Sequence, residues 1–249
     1  MLSDARLCQL CADAYKDNGP DGWILDAATP AHHAGPRAFV LAAPDGSRTV
    51  VFRGTTDAEG WVTDLDAERA PCGFGDGIAV HEGFVAHWQF LRERIAPAVK
   101  GAQVLGRPVT LAGHSLGGAM ATLAAIELAR TGYRVERVVT FGSPRVGNAA
   151  FAGAYELAGL VEKTTRYVHS FDPVPWLPTC LFGFRHVCPA TWYDGAIWRP
   201  WSWLAYGLLA GADLAIGWPP SLASLRRAPA MAAGCHLMDS YTSALPPEG

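Results

Sequence analysis

The sequence predicts an α/β fold with a mostly parallel central sheet flanked by helices. Three observations carry that expectation. Strand-like and helix-like runs alternate between about residues 108 and 169, the pattern of a parallel sheet with crossover helices. Half of the 249 residues are hydrophobic and only 17% are charged, which supplies a large core. No internal repeat or low-complexity linker divides the chain, so residues 1–249 are read as one domain.

The elements follow in order. Leu7, Leu10, Cys11 and Ala14 recur at helical spacing. Phe39-Val40-Leu41-Ala42 and Thr49-Val50-Val51-Phe52 flank Pro44-Asp45-Gly46-Ser47, two β-favouring runs around a turn, and so predict an antiparallel hairpin. Phe84, Trp88, Leu91 and Ile95 then set a helical period over about 83–100. A short apolar strand at 108–112 leads into an Ala- and Leu-rich helix at 119–130 that stops before Gly132. Further strands are expected at 135–141, 165–169 and about 184–193, with a helix at 148–161.

Charge and cysteine content exclude several classes. Twenty basic against twenty-three acidic residues leave a net charge of −3, without the concentrated basic surface that nucleic acid demands. Six cysteines are too few for a disulfide-built scaffold and match no paired zinc motif, so no metal is expected. Cys8-Gln9-Leu10-Cys11 has redox spacing but lies in an apparent helix without a second pair. Cys180 and Cys188 could close a short loop in an exported protein, or act as small buried hydrophobes in a reducing compartment. The first residues show no basic region followed by an apolar one, which fits a cytoplasmic protein or a processed secreted form.

The chemistry concentrates at Gly113-His114-Ser115-Leu116-Gly117. Placed between a strand and a helix, G-x-S-x-G makes a sharp turn that projects the serine above the sheet, with glycines where a Cβ would strike backbone. The helix N-terminus behind it aims N–H groups at the reacting oxygen. A nucleophilic serine needs a base and an orienting carboxylate, in the chain order Ser, Asp or Glu, His. Asp172 follows the 165–169 strand inside Asp172-Pro173-Val174-Pro175, where two prolines stiffen the loop; its competing role is an Asx turn. His236 is the histidine near the C-terminus, and is preferred to His186, which falls on an apparent strand.

Taken together, these blocks resemble the class 3 (fungal-type) lipase family of the α/β-hydrolase fold, over most of residues 38–245. The matching segments are Val50-Val51-Phe52-Arg53-Gly54-Thr55, Trp61-Val62-Thr63-Asp64-Leu65, Val80-His81-Glu82-Gly83-Phe84, the serine motif through Gly118, and Thr140-Phe141-Gly142-Ser143-Pro144-Arg145-Val146-Gly147-Asn148. Asp172-Pro173-Val174-Pro175 and a late His236…Tyr241 pair complete the set. The resemblance implies a catalytic triad of Ser115, Asp172 and His236. It implies an oxyanion hole formed by the backbone N–H groups of Thr55 and Leu116, donors worth about 3 kcal/mol each in a transition state. It further implies that Asp64 fixes the Thr55 hydroxyl and that residues 56–63 form a short lid with Trp61 as its large apolar group. Asp57 and Glu59 make that lid polar. On their own, Thr55 reads as a strand end and Asp64 as a helix cap.

The chain departs from the family over about 194–234, a Trp-rich insertion expected to be helical, before the catalytic histidine. It contains Trp198, Trp201, Trp203 and Trp218. Its uncharged run at 201–212 is shorter than the roughly twenty residues of a spanning helix, so no transmembrane segment is expected. It reads either as a flap bordering an acyl pocket, where Trp suits an apolar–wet boundary, or as an ordinary core helix. The resemblance thus implies a serine carboxylic ester hydrolase, a triacylglycerol lipase or esterase, without cofactor, acting on a lipid or small ester at a transient lipid–water interface. Phospholipase A1, monoacylglycerol lipase and feruloyl-type esterase activities use the same scaffold. The rival from another class is a catalytically silent lipid-binding module.

Overall fold

A computed structural model of the chain describes residues 2–28, 37–55, 68–169, 172–193, 198–200 and 236–245. The expected lid and most of the 194–234 insertion, with Trp61 and Asp64, lie outside the described residues.

Helix α1 (Asp4–Asp13) is capped by Ser3, whose hydroxyl accepts from the Arg6 N–H at 3.2 Å, and buries Leu7, Cys8, Leu10 and Cys11. Strands β1 (Trp23–Ala28), β2 (Arg37–Ala42) and β3 (Arg48–Arg53) pair antiparallel. The β2–β3 turn is the expected one, with the Asp45 carboxylate accepting from the Ser47 N–H at 2.9 Å. After β4 (Arg69–Pro71) and β5 (Ala79–His81) comes α2 (Glu82–Val104), which buries Phe84, Trp88, Leu91, Ile95 and Val99 on one face and continues through Pro97.

From there the chain winds β6 (Val109–His114), α3 (Leu116–Arg130), β7 (Val135–Phe141), β8 (Gly147–Asn148), α4 (Ala149–Leu157), β9 (Thr164–His169), β10 (Phe184–Arg185), β11 (Thr191–Tyr193) and β12 (Trp198–Pro200), with α5 (Met238–Ala244) behind His236. The main sheet has the order β1-β2-β3-β6-β7-β9-β11-β12. Its centre, β3-β6-β7-β9-β11, is parallel and its edges are antiparallel. A small antiparallel sheet, β10-β8-β5-β4, completes the strands.

Three expectations change. The strand read at 184–193 is two strands in different sheets: Phe184–Arg185 pairs with β8 and Thr191–Tyr193 with β9. Pro189, which has no N–H to give a ladder, lies in the break. His186 is therefore on a connection and not on a strand. The helix at 148–161 stops at Leu157, because Asn148 is its cap and Gly159 turns the chain at φ 66°. Within the insertion, residues 198–200 form an edge strand where a helix was expected.

Candidate active site

The sheet is interrupted at one special residue. Ser115 sits between β6 and α3 at φ 58°, ψ −129°, and is the only non-glycine with positive φ among the described residues. Such backbone costs on the order of 1–3 kcal/mol and persists only where its surroundings over-determine it. They do here. The Ser115 N–H donates to the Phe141 carbonyl at 3.0 Å, tying the turn to β7, and its own carbonyl accepts from Gly118 at 2.8 Å. A Cβ on Gly117 would collide with the Phe52 carbonyl of β3, and one on Gly113 with the Gly117 carbonyl. The helix can start immediately after the strand only because these positions are bare.

Asp172 lies three residues beyond β9 and is fully buried. Its Oδ1 accepts from the Val174 N–H at 2.9 Å, so the Asx turn considered for it is real. The same carboxylate holds His236: Nδ1 lies 2.9 Å from both Oδ1 and Oδ2. Tyr241, one turn into α5, donates its hydroxyl to Oδ2 and accepts from the His169 N–H at 3.1 Å. Burial and the neighbouring Asp172 carboxylate push the Tyr241 phenol far above its ordinary range, so it remains a donor. With Nδ1 donating to the carboxylate, His236 keeps its lone pair on Nε2. Both His236 Nε2 and Ser115 Oγ are buried and have no hydrogen-bond partner among the described residues. Gly142, at φ 58°, passes so close that a Cβ would come within 2.5 Å of Asp172 Oδ2 and 3.1 Å of His236 Nδ1.

A second histidine stacks on the first. The rings of His114 and His236 are 4.7 Å apart between centroids. His114 Nε2 lies 2.7 Å from the His236 carbonyl oxygen, which can only accept, so Nε2 carries the proton. Nδ1 then accepts from the Tyr15 hydroxyl at 2.8 Å, and that hydroxyl accepts in turn from the Gly54 N–H at 3.2 Å. Burial and the adjacent His236 hold His114 well below the usual histidine range, and it stays neutral. One chain of bonds therefore joins the turn after α1, the end of β3, the nucleophile turn and the segment carrying His236.

The remaining expected residues are placed as follows. Thr55 follows the end of β3 and is 9% exposed, and Leu116 opens α3 at 1% exposure, where a first-turn N–H has no intrahelical acceptor. His186 bonds the Pro175 carbonyl at 2.7 Å and lies 3.0 Å from an Arg166 nitrogen; its bonds do not reach Asp172. Cys8 and Cys11 are buried free thiols, with burial raising Cys8 to about 12 and Cys11 well above its ordinary value, which makes them inert packing groups. Cys180 and Cys188 are also free, so they form no disulfide. Among the described residues no group of three or more His, Cys, Asp or Glu could hold a metal ion, and no helix is long and apolar enough to cross a membrane.

Sequence reasoning missed Tyr15, His114 as a bonded group, and Gly142. The three lie in the turn after α1, at the end of β6 and at the β7 exit, and no local pattern links them.

Comparison with known proteins bears on the family and the fold. The family profile described as "Lipase (class 3)" matches residues 49–182, more than half of the chain. A secreted mono- and diacylglycerol lipase 1 of Fusarium solani is 35% identical over 190 residues, covering 74% of this chain and 54% of that protein. A secreted mono- and diacylglycerol lipase A of Penicillium cyclopium is 37% identical over 145 residues, covering 57% of this chain and 47% of its own. The chain thus spans about half the length of these curated relatives. Among solved structures, lipase II from Rhizopus niveus superposes with a TM-score of 0.68 at 26% identity, covering 78% of this chain and 83% of that one. The chain belongs to the class 3 lipase family, with its α/β-hydrolase fold.

Proposed function

We propose that the protein is a serine carboxylic ester hydrolase acting on acylglycerol-type lipids through a Ser115–His236–Asp172 triad. The observation that carries the reading is the pair of buried, unpartnered atoms, Ser115 Oγ and His236 Nε2, beside a carboxylate that grips the other ring nitrogen. Loose nucleophile–base geometry is common without substrate and tightens in the reacting complex.

In this reading Ser115 Oγ attacks the ester carbonyl carbon while Nε2 takes its proton. Asp172 fixes the Nδ1–H tautomer and stabilises the imidazolium. The N–H groups of Thr55 and Leu116 receive the oxyanion. The imidazolium returns its proton to the leaving alcohol as the ester C–O bond breaks. Water, deprotonated by the same nitrogen, then releases the carboxylic acid and restores the serine. Asp64 supports the Thr55 hydroxyl, and residues 56–63 with Trp61 form the covering lid. Residues 1–249 act as one domain. The relatives are named as mono- and diacylglycerol lipases, which favours partial acylglycerols as substrates, and as secreted, which favours the exported form.

The test is a rate panel on mono-, di- and triacylglycerols of rising chain length, carried through each solubility limit, with Ser115→Ala as the blank. Loss of at least about 10³-fold in Ser115→Ala, with an unchanged circular dichroism spectrum, is expected. A variant as active as the parent would mean that Ser115 is not the nucleophile, and a parent inactive on the whole panel would leave a lipid-binding module as the better account. Preference for a phospholipid or a feruloyl ester would keep the chemistry and replace the substrate class.

A further inference from the structure

The loop that begins at Asp172 runs into an exposed apolar turn. Cys180–Phe182 makes one tight helical turn, closed by Gly183 at φ 79°, whose N–H donates to the Cys180 carbonyl at 2.9 Å. The Phe182 N–H donates to the Thr179 carbonyl at 3.2 Å. On this fixed turn Leu181 is 67% and Phe182 55% exposed. Two adjacent large apolar side chains in water, rimmed by charge, are the pattern of an interaction surface.

The turn stands at the carboxyl end of the parallel strands, the end that carries Ser115. Arg145, which follows β7, fixes the loop there. Its N–H donates to the Leu177 carbonyl at 2.7 Å and its Nη1 to the Pro178 carbonyl at 3.1 Å. Beyond the turn, Phe184–Arg185 pairs with β8. Leu237, the neighbour of His236, is exposed as well.

Two cations frame the tip. Arg185 Nη1 donates to the Cys180 carbonyl at 3.3 Å, at one end of the turn. The Arg69 guanidinium lies against the other end, where a Cβ on Gly183 would stand 3.0 Å from its Nη1. Both arginines are exposed, and neither forms an ion pair among the described residues. Glu68 and Glu82, at the neighbouring strand and helix starts, do not pair with Arg69. In a chain of net charge −3, this is a local positive rim around an apolar tip.

We infer that this turn anchors the protein to an anionic lipid surface, with Leu181 and Phe182 entering the apolar layer and Arg69 and Arg185 meeting the headgroups. Such a surface accepts apolar side chains below its headgroup plane and draws cations to it. A zwitterionic surface offers the arginines no net field, and a dissolved anion offers Leu181 and Phe182 no apolar layer. The anchor brings the end of the sheet that carries Ser115 to the lipid. Its use rests on the ester-hydrolase reading, but binding is measured apart from hydrolysis.

The test is co-sedimentation of the full chain with vesicles of ether-linked phosphatidylcholine, alone or mixed with ether-linked phosphatidylglycerol, which hold no carboxylic ester. Binding to the mixed vesicles is expected to be at least about 10-fold tighter, and to weaken as salt rises. The double variant Arg69→Gln, Arg185→Gln should lose that preference, by about fivefold for each arginine. Leu181→Ser with Phe182→Ser should weaken binding to both vesicles by about 10-fold or more. An unchanged circular dichroism spectrum checks that each variant folds. Hydrogen exchange on the unaltered protein reads the same contact, with the amides of residues 180–185 slowed by mixed vesicles. Equal binding to the two vesicles, full binding by the variants, or exchange at 180–185 unmoved by mixed vesicles overturns the inference. Anchoring by a chain that hydrolyses no ester would uphold it and remove the reading on which its use rests.

Discussion

The two faces of the central sheet are packed by different means. On one, α2 and α3 bury a continuous apolar layer that includes Phe52, Phe84, Leu91, Ile95, Leu111 and Leu123. Each such side chain contributes about 1.5–3 kcal/mol on burial, and the layer carries few groups with chemistry. On the other, α1 and α5 cover a smaller cluster of Leu7, Leu10, Phe39, Val139 and Met238, in which Tyr241 is itself a core residue and Tyr15 packs at the margin. The second face gives up apolar burial for tyrosine hydroxyls that reach the site. The lesson is that the thin face positions the chemistry, while the thick face secures the fold.

The same contrast appears between the stacked histidines. His114 has both ring nitrogens bonded, and His236 has one held and one open. A fully satisfied imidazole is structural, whereas an imidazole whose second ring nitrogen is left without a partner is free to take a proton.

Substitutions should separate these roles. Gly142→Ala puts a methyl group into Asp172 Oδ2 at positive φ, and should lower kcat by about 10²-fold or more, with a smaller loss in stability than in activity. Steady-state kinetics with a parallel unfolding curve checks this; a variant at parental activity would mean that the carboxylate is not held where its chemistry requires. Tyr241→Phe strands the His169 N–H and removes a donor from Asp172, and should cost about 1–3 kcal/mol in urea unfolding. Tyr15→Phe strands the Gly54 N–H and should cost about as much at the lower end, with a loss in kcat if Gly54 fixes the neighbouring Thr55. On the thick face, where packing is apolar, a cavity variant such as Leu91→Ala should instead cost about 2–5 kcal/mol in stability and leave kcat of the folded fraction unchanged.

The pH dependence follows from His114 and His186, both held neutral in the fold. Their pKa values are lower folded than unfolded, so below about pH 6.5 the unfolded chain binds protons that the folded chain does not. Stability is therefore full above that pH and falls as the solution is acidified, by up to about 1.4 kcal/mol per pH unit for each group. Denaturation at pH 7.5 and 5.5 reads the slope, and His114→Gln should reduce it by about one proton. An unchanged slope would mean that His114 is not held neutral in the fold. The smallest effect is expected at Cys8 and Cys11, whose thiols should resist a neutral thiol reagent in the native state and react once the protein is unfolded.

Much of this was legible in the chain, for identifiable reasons. The β2–β3 hairpin, the β7 strand at Val135–Phe141 and the strand–Ser115–helix turn are set by local period, turn residues and small side chains, all of which adjacent residues encode. Ser115, Asp172 and His236 could be named because their order is constrained and a known pattern surrounds them. The Tyr15–His114 bond joins residues 99 apart, and no spacing rule announces it. The break at Pro189 was hidden because the apolar run through Val187 and Cys188 reads as one strand, although its two ends belong to different sheets.

The central claim is that Ser115 is the nucleophile activated by His236. Reaction of the full chain with a fluorophosphonate, followed by peptide mass spectrometry, tests it most directly. The account predicts one phosphonyl group per molecule, on Ser115, with activity lost in proportion to labelling, and labelling slowed at least about 10²-fold in His236→Ala. Full activity after stoichiometric labelling, or a label on any other serine, would contradict it.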